Sequence, residues 1–212
     1  MPIANQMIKM VEGMEMVKKM FEEGARLKAE YGPDKVFDFS LGNPDVPPPP
    51  EFKKVLKELV GDESLSHGYT PNTGYPHVRQ AVADYLSSVH DLKLTPDCII
   101  MTVGAAGALN DALNAVINPG EEILVPAPYF IGYDHYAFIA KAKIKTVPTA
   151  SNFHLDMDAI ASAITEKTRV MLINSPNNPT GAVYSAAELA ELGRVLNDAS
   201  QKFGRRIYLV AD

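Results

Sequence analysis

Cysteine occurs once in the 212 residues. A lone thiol excludes an intramolecular disulfide framework and fits a reducing compartment. It is Cys98, in the apolar run Cys98-Ile99-Ile100-Met101, and it reads as a small core residue. No block of Lys or Arg is present, the net charge is −6 and the pI is about 5.4. That balance lacks the basic footprint of a nucleic-acid-binding surface. No His or Cys cluster has metal-ligand spacing. No apolar stretch is long enough to span a bilayer. Lys9, Glu12 and Glu15 interrupt any apolar core of a signal peptide, so a cytoplasmic protein is the expectation.

What is present is ordinary globular composition: 46% apolar residues and a mean hydropathy of −0.07. The length allows one large domain, or one domain and a piece of another. Residues 5–30 predict an amphipathic helix. Met7, Met10, Met14, Val17 and Phe21 recur at helical spacing, a stripe that reads as core or subunit packing rather than a binding groove. Gly32-Pro33 stops it. A short strand is expected at Val36–Phe39, then a turn at 41–45. Pro47 to Pro50 form a stiff extended segment. They separate an N-terminal arm (1–46) from a main domain (47–212).

Helices are expected at 51–60 and about 76–90. From residue 97 the pattern is regular. Strands at 98–103, 121–126, 143–148, 169–174 and 206–212 alternate with helices at 105–117, 131–141, 156–165 and 185–203. Runs such as "VMLIN" and "IYLVA" are continuously apolar, which marks parallel strands covered on both faces. The class is α/β, doubly wound, with helices on both sides of a mostly parallel sheet.

Three unusual stretches fall just after strands, where ligands bind in open parallel sheets. In "VGAAGALN" (103–110), small residues open a helix whose free N–H groups suit an anion. The pattern is neither the dinucleotide fingerprint nor a P-loop. A bland strand-to-helix turn would use the same residues. In "NSPNNPTG" (174–181), prolines flank Asn177-Asn178 and hold their amides still. Thr180 or Ser185 could equally cap the next helix. Finally, "RIYLVAD" carries an acid, Asp212, at the tip of an apolar strand. A carboxylate there is costly without a partner, which points to a cationic ligand atom or a metal.

Together these segments resemble the aspartate aminotransferase-like, class I/II group of fold type I pyridoxal-phosphate enzymes. "FSLGNPD", "GYTPNTGYPHVRQAVADYL", "TVGAAGALN", "GEEILVPAPYFIGY", "NSPNNPTGAVYS" and "YLVAD" occur in that group's order, from about residue 37 to 212. The resemblance implies part of the pyridoxal-phosphate transferase fold, with a helical arm of the small domain in front. It implies that Ala105 and Ala106 hold the cofactor phosphate through backbone N–H groups, Ala106 lacking the hydroxyl many members have there. Tyr69 would reach the phosphate in a partner subunit, making a homodimer. Phe130, or Tyr129 beside it, would stack on the pyridine ring. Asn178 would bond the phenolic oxygen, Asp212 would pair with the ring nitrogen, and Gly42 would contact the substrate carboxylate.

The activity implied is amino-group transfer between an L-amino acid and a 2-oxo acid. The group's Schiff-base lysine lies downstream of the Asp212 equivalent. The resemblance therefore implies an N-terminal portion with no catalytic residue of its own and no transaminase activity alone. Carbon–sulfur lyases and cyclopropane-forming synthases share the scaffold. Aminotransferase-like sensing domains do too, usually behind a basic DNA-binding domain that nothing before residue 37 resembles.

Overall fold

The computed structural model describes residues 5–40, 42, 46–65 and 68–212, with the side chains of 5, 6 and 9–18 left aside. The chain divides into two compact units, 1–68 and 69–212.

In the first unit, α1 runs Asn5–Tyr31 and a single 3₁₀ turn covers Pro33–Lys35. The helix matches its apolar spacing. Met10, Met14 and Val17 lie among the undescribed side chains, while Met7 and Phe21 are exposed. The strand expected at Val36–Phe39 does not form. The segment takes no regular structure and forms no ladder among the described residues, and Phe37 and Phe39 are exposed. It is held instead by Lys28 Nζ, 2.7 Å from Asp38 Oδ2. Of the turn expected at 41–45, only Gly42 is described, and it is exposed. Helix α2 spans Pro50–Gly61, with Pro50 at its first position, where a missing N–H costs nothing.

The second unit carries the sheet. Its helices are α3 (Pro76–His90), α4 (Gly104–Val116), α5 (Gly132–Ile139), α6 (Met157–Ala163) and α7 (Ala186–Lys202). Its strands are β1 (Glu122–Ala127), β2 (Lys143–Pro148), β3 (Thr168–Ile173) and β4 (Tyr208–Ala211). All pairings are parallel, in the order β2-β1-β3-β4. Among the described residues no helix is long and apolar enough to cross a membrane.

Alternation along the two central strands builds two cores. Ile123, Val125, Val170 and Leu172 face Leu109 and Leu113 of α4 and Tyr133 and Ala137 of α5. Leu124, Met171 and Ile173 face Ile160 of α6 and Leu192 and Leu196 of α7. The result is the expected α/β/α arrangement. Only β1 and β3 are covered on both faces. At the edges, β2 is mostly uncovered and β4 alternates, with Leu209 exposed.

A second expected strand is also missing. Ile99 is extended after a 3₁₀ turn at Pro96–Cys98, but residues 99–102 take no regular structure and no strand pairs with them among the described residues. An apolar run signals burial, whereas a strand needs a neighbour for its backbone groups, and here Met101 N–H bonds only the Thr73 carbonyl. Ile100 and Met101 stay exposed. Cys98, read as core, is exposed as well, and hydrogen bonds from the Thr95 backbone and hydroxyl hold its thiol below the ordinary range.

Helix α7 starts with a capping box. The Ser185 hydroxyl accepts the Glu188 N–H, and the Ser185 N–H donates to Glu188 Oε2 at 2.8 Å. Burial works to raise the Glu188 carboxyl. The Ser185 backbone, the Ser185 hydroxyl and His154 outweigh it and hold the group at about 2. A carboxyl depressed on folding stabilises above its unfolded value and loses that contribution as pH falls through the folded one. Thermal melts between pH 4.5 and 2 should therefore fall more steeply for the parent chain than for Glu188→Gln; parallel acid limbs would contradict this. Leu172→Ala, cutting a fully buried side chain, should cost about 2–5 kcal/mol in denaturant unfolding.

Candidate functional site

The strand order reverses between β1 and β3. From β1 the chain moves outward to β2, then returns across to β3 and on to β4. Loops leaving β1 and β3 at their carboxyl ends start on either side of that reversal, the place where ligands bind in open parallel sheets. The β1–α5 loop supplies Tyr129 and Phe130, and the β3–α7 loop supplies Asn174 to Ser185. The two are joined by Asn177 Nδ2, which donates to the Pro128 carbonyl at 3.1 Å.

Asp212 stands at the end of β4 and is exposed, so the cost expected for a carboxylate at the tip of an apolar strand does not arise. Its N–H donates to the Ile173 carbonyl at 2.9 Å, and its own carbonyl accepts from Asn174 Nδ2 at 2.9 Å. Its side chain accepts a hydrogen bond at 2.6 Å from the Tyr133 hydroxyl. Tyr133 belongs to the first turn of α5 and is 1% exposed. Burial pushes its phenol far above the usual range, and the hydrogen bond and charge of Asp212 push the same way. The acid's partner is thus a buried neutral donor. The sequence reading missed it, and its apolar surroundings in "YFIGY" offered only a core signal.

Phe130 meets Tyr133 edge-on, with ring centroids 5.6 Å apart at 87°. Its ring lies over Gly132, where a β-carbon would come within 2.3 Å of Phe130 Cε1, so only glycine accommodates that ring position. Tyr129 stacks on Tyr133 at 6.2 Å and donates its hydroxyl to Asp134 at 3.1 Å.

The β3–α7 loop is held by its own polar groups. Asn178 N–H donates to Asn174 Oδ1 at 2.6 Å, Asn177 N–H to the Ala182 carbonyl at 2.8 Å, and Gly181 N–H to the Asn177 carbonyl at 2.7 Å. Ser175-Pro176 and Asn178-Pro179 are cis. Asn178 is exposed, while Asn174 does the tethering. Asn174 went unnoticed in the sequence because a single Asn at a strand end is also a common turn residue.

Ala105 and Ala106 sit exposed in the first turn of α4. Gly104 before them has φ of 68°, a left-handed conformation that a side chain would strain. No side chain caps this helix. Its first N–H groups lack intrahelical partners and face outward with the positive end of the dipole. Leu109 and Leu113 of α4 share a core with Tyr133, so α4 and the acid's partner lie on the same side of the sheet. Contacts therefore link Phe130, Asn178 and Asp212 through Tyr133 and Asn174. No direct contact joins Ala105 or Ala106 to them. Tyr69 is fully exposed at the start of the second unit, and Gly42 belongs to the first. Among the described residues no group of His, Cys, Asp or Glu could hold a metal.

Two substitutions isolate the pair. Tyr133→Phe should remove the phenol that ionises last in an ultraviolet titration of the tyrosines. Asp212→Asn should lower that phenol's value without returning it to normal, since burial, the larger cause, remains. An unchanged titration in Asp212→Asn would mean the two groups are not coupled.

A family model for aminotransferase class I and II matches residues 34–200. Aspartate aminotransferase of Pyrococcus abyssi is 36% identical over 179 residues, which is 83% of this chain and 44% of that protein. Aromatic-amino-acid aminotransferase 2 of Thermococcus litoralis is 33% identical over the same length, with the same coverage. The crystal structure of an amino transferase from Eubacterium rectale superimposes with a TM-score of 0.94 at 35% identity, over 100% of this chain and 54% of that one. The chain thus spans about half the length of the proteins it matches, and its fold is the corresponding part of the pyridoxal-phosphate aminotransferase fold. With the family model covering most of its residues, the chain belongs to the aminotransferase class I and II family.

Proposed function

We propose that this chain is the cofactor-binding portion of a pyridoxal-phosphate-dependent aminotransferase, exchanging an amino group between an L-amino acid and a 2-oxo acid. The observation that carries it is the Asp212 carboxylate, presented at the end of β4 on a buried Tyr133 hydroxyl that α5 brings from the β1 side of the strand-order reversal. Class I and II aminotransferases of the aspartate type use pyridoxal phosphate. The donors present fit that molecule in kind. Uncapped N–H groups of Ala105 and Ala106 suit its phosphate. The exposed Asn178 amide suits its phenolic oxygen and the exposed face of Phe130 its ring. Asp212 suits a protonated ring nitrogen.

The bound cofactor supplies an electron sink for the substrate α-carbon. Asp212 favours the proton on the ring nitrogen, since an opposite charge nearby stabilises the charged form. Tyr133 and Asn174 fix that carboxylate's direction. Phe130 limits tilt of the ring, with Tyr129 occupied by Asp134. Gly42 contacts the substrate carboxylate, and Tyr69 reaches the cofactor of a second subunit in a homodimer. The same proposal covers the division into an arm at 1–46 and a cofactor domain at 47–212, a cytoplasmic location, and a role in amino-acid biosynthesis.

Equilibrium dialysis with pyridoxal phosphate tests this. Asp212→Asn and Asn178→Ala should each weaken binding about tenfold, the equivalent of ~1.4 kcal/mol. The parent chain should also prefer pyridoxal phosphate over an analogue with carbon in place of the ring nitrogen, and Asp212→Asn should lose that preference. Equal preference in both proteins would sink the assignment of Asp212.

A further inference from the structure

The β3–α7 loop does not stand on its own hydrogen bonds alone. Between β2 and α6 the chain makes a tight hairpin, with Thr149 bridged to Leu155, Ala150 N–H on the His154 carbonyl at 3.0 Å, and Phe153 at φ 64°. The hairpin touches both the end of β1 and the first turn of α7. On one side the Thr149 hydroxyl donates to the carbonyl of Ala127, the last residue of β1, at 3.0 Å. On the other, His154 Nδ1 lies 2.8 Å from Glu188 Oε1.

Glu188 divides its two oxygens. Oε1 takes His154, while Oε2 takes the Ser185 N–H and hydroxyl, each at 2.8 Å. Just before Ser185, the Tyr184 N–H donates back across the loop to Ser175 Oγ at 3.0 Å. Ser175 follows Asn174, which binds the Asn178 N–H and the Asp212 carbonyl. The buried ring of Tyr184 also meets the His154 ring at 6.5 Å and 68°. Hydrogen bonds joined by two steps along the backbone, Ser185 to Tyr184 and Ser175 to Asn174, therefore lead from His154 to Asn178, and the far end lies in the residues that present the site.

We infer that His154 is a positioning residue: through Glu188 it braces the β3–α7 loop and so holds the Asn174–Asn178 tether in place. An imidazole suits the task because Nδ1 can carry a proton and donate to a carboxylate in the charged form or in one neutral tautomer. Glu188 without His154 could still cap α7. What His154 adds is a link to the hairpin and, through Thr149, to the end of β1. The inference rests on the cofactor reading only for why Asn178 matters.

Amide hydrogen exchange on the chain without cofactor is the test. In His154→Phe, the amides of Tyr184, Gly181 and Asn178 should exchange at least about tenfold faster, while those of Leu124 and Met171 in the sheet keep their protection. His154→Gln, which restores a donor, should recover most of the loss. Glu188→Asp keeps a capping oxygen but has shorter reach to His154, and should give the same pattern should the phenylalanine variant not fold. Faster exchange confined to Ser185 and Glu188 would reduce His154 to a helix-end contact and overturn the inference, as would uniform loss of protection. Failure of the cofactor reading would appear elsewhere, in dialysis, and would leave the exchange pattern unchanged.

Discussion

The side-by-side pairing of β1 and β3 is the constraint on which the rest of the second unit depends. These two strands are distant in sequence, yet they alone are buried on both faces. Each alternate side chain enters a different core, so a one-residue slip would exchange the two apolar sets. With this register, α4 and α5 must lie on one side and α6 and α7 on the other. The reversal of strand order then falls between β1 and β3, and Phe130, Asn174 and Asn178 lie on the loops that follow them. The site is a consequence of how the sheet is wound.

The same constraint explains why an acid can sit at the end of β4. Asp212 is exposed there, so its charge keeps its hydration, and what the fold supplies is direction. Here β4 pairs with β3, which pins the Asp212 backbone, and α5 carries a phenol to its side chain. The phenol is itself so buried that it resists ionising, so it remains a donor. Asn174 serves both loops at once, binding the Asp212 carbonyl and the Asn178 N–H. Phe130, packed edge-on against Tyr133, belongs to the same assembly.

Legibility from sequence followed the range of the interactions. Helices were readable because their signals are local: Gly32-Pro33 at the end of α1, Ser185 as a candidate cap before α7, and apolar spacing along α1. Three of the four strands that pair were readable as apolar runs, whereas Lys143–Pro148 carries two lysines and was placed by the regular alternation of elements. The run at 98–103 looked the same but lacks a neighbour, and Cys98 within it is exposed rather than buried. Val36–Phe39 failed likewise, since β-forming residues make a strand only when another strand accepts their backbone bonds. Tyr133, Asn174 and His154 escaped notice because each has a bland local explanation, and their partners lie far away in the chain.

By itself, the sequence determined the α/β class, the run of helices, the parallel character of the paired strands, and the segments that carry the chain's resemblance to aminotransferases. These depend on periodicity, turn chemistry and side-chain type, all of which act over a few residues. Only the tertiary structure decided which apolar runs became strands, which face each central residue took, and which partner Asp212 received. Those outcomes depend on pairing across the fold. A hydrogen bond such as that from Tyr133 to Asp212 exists only after the sheet has brought both ends together.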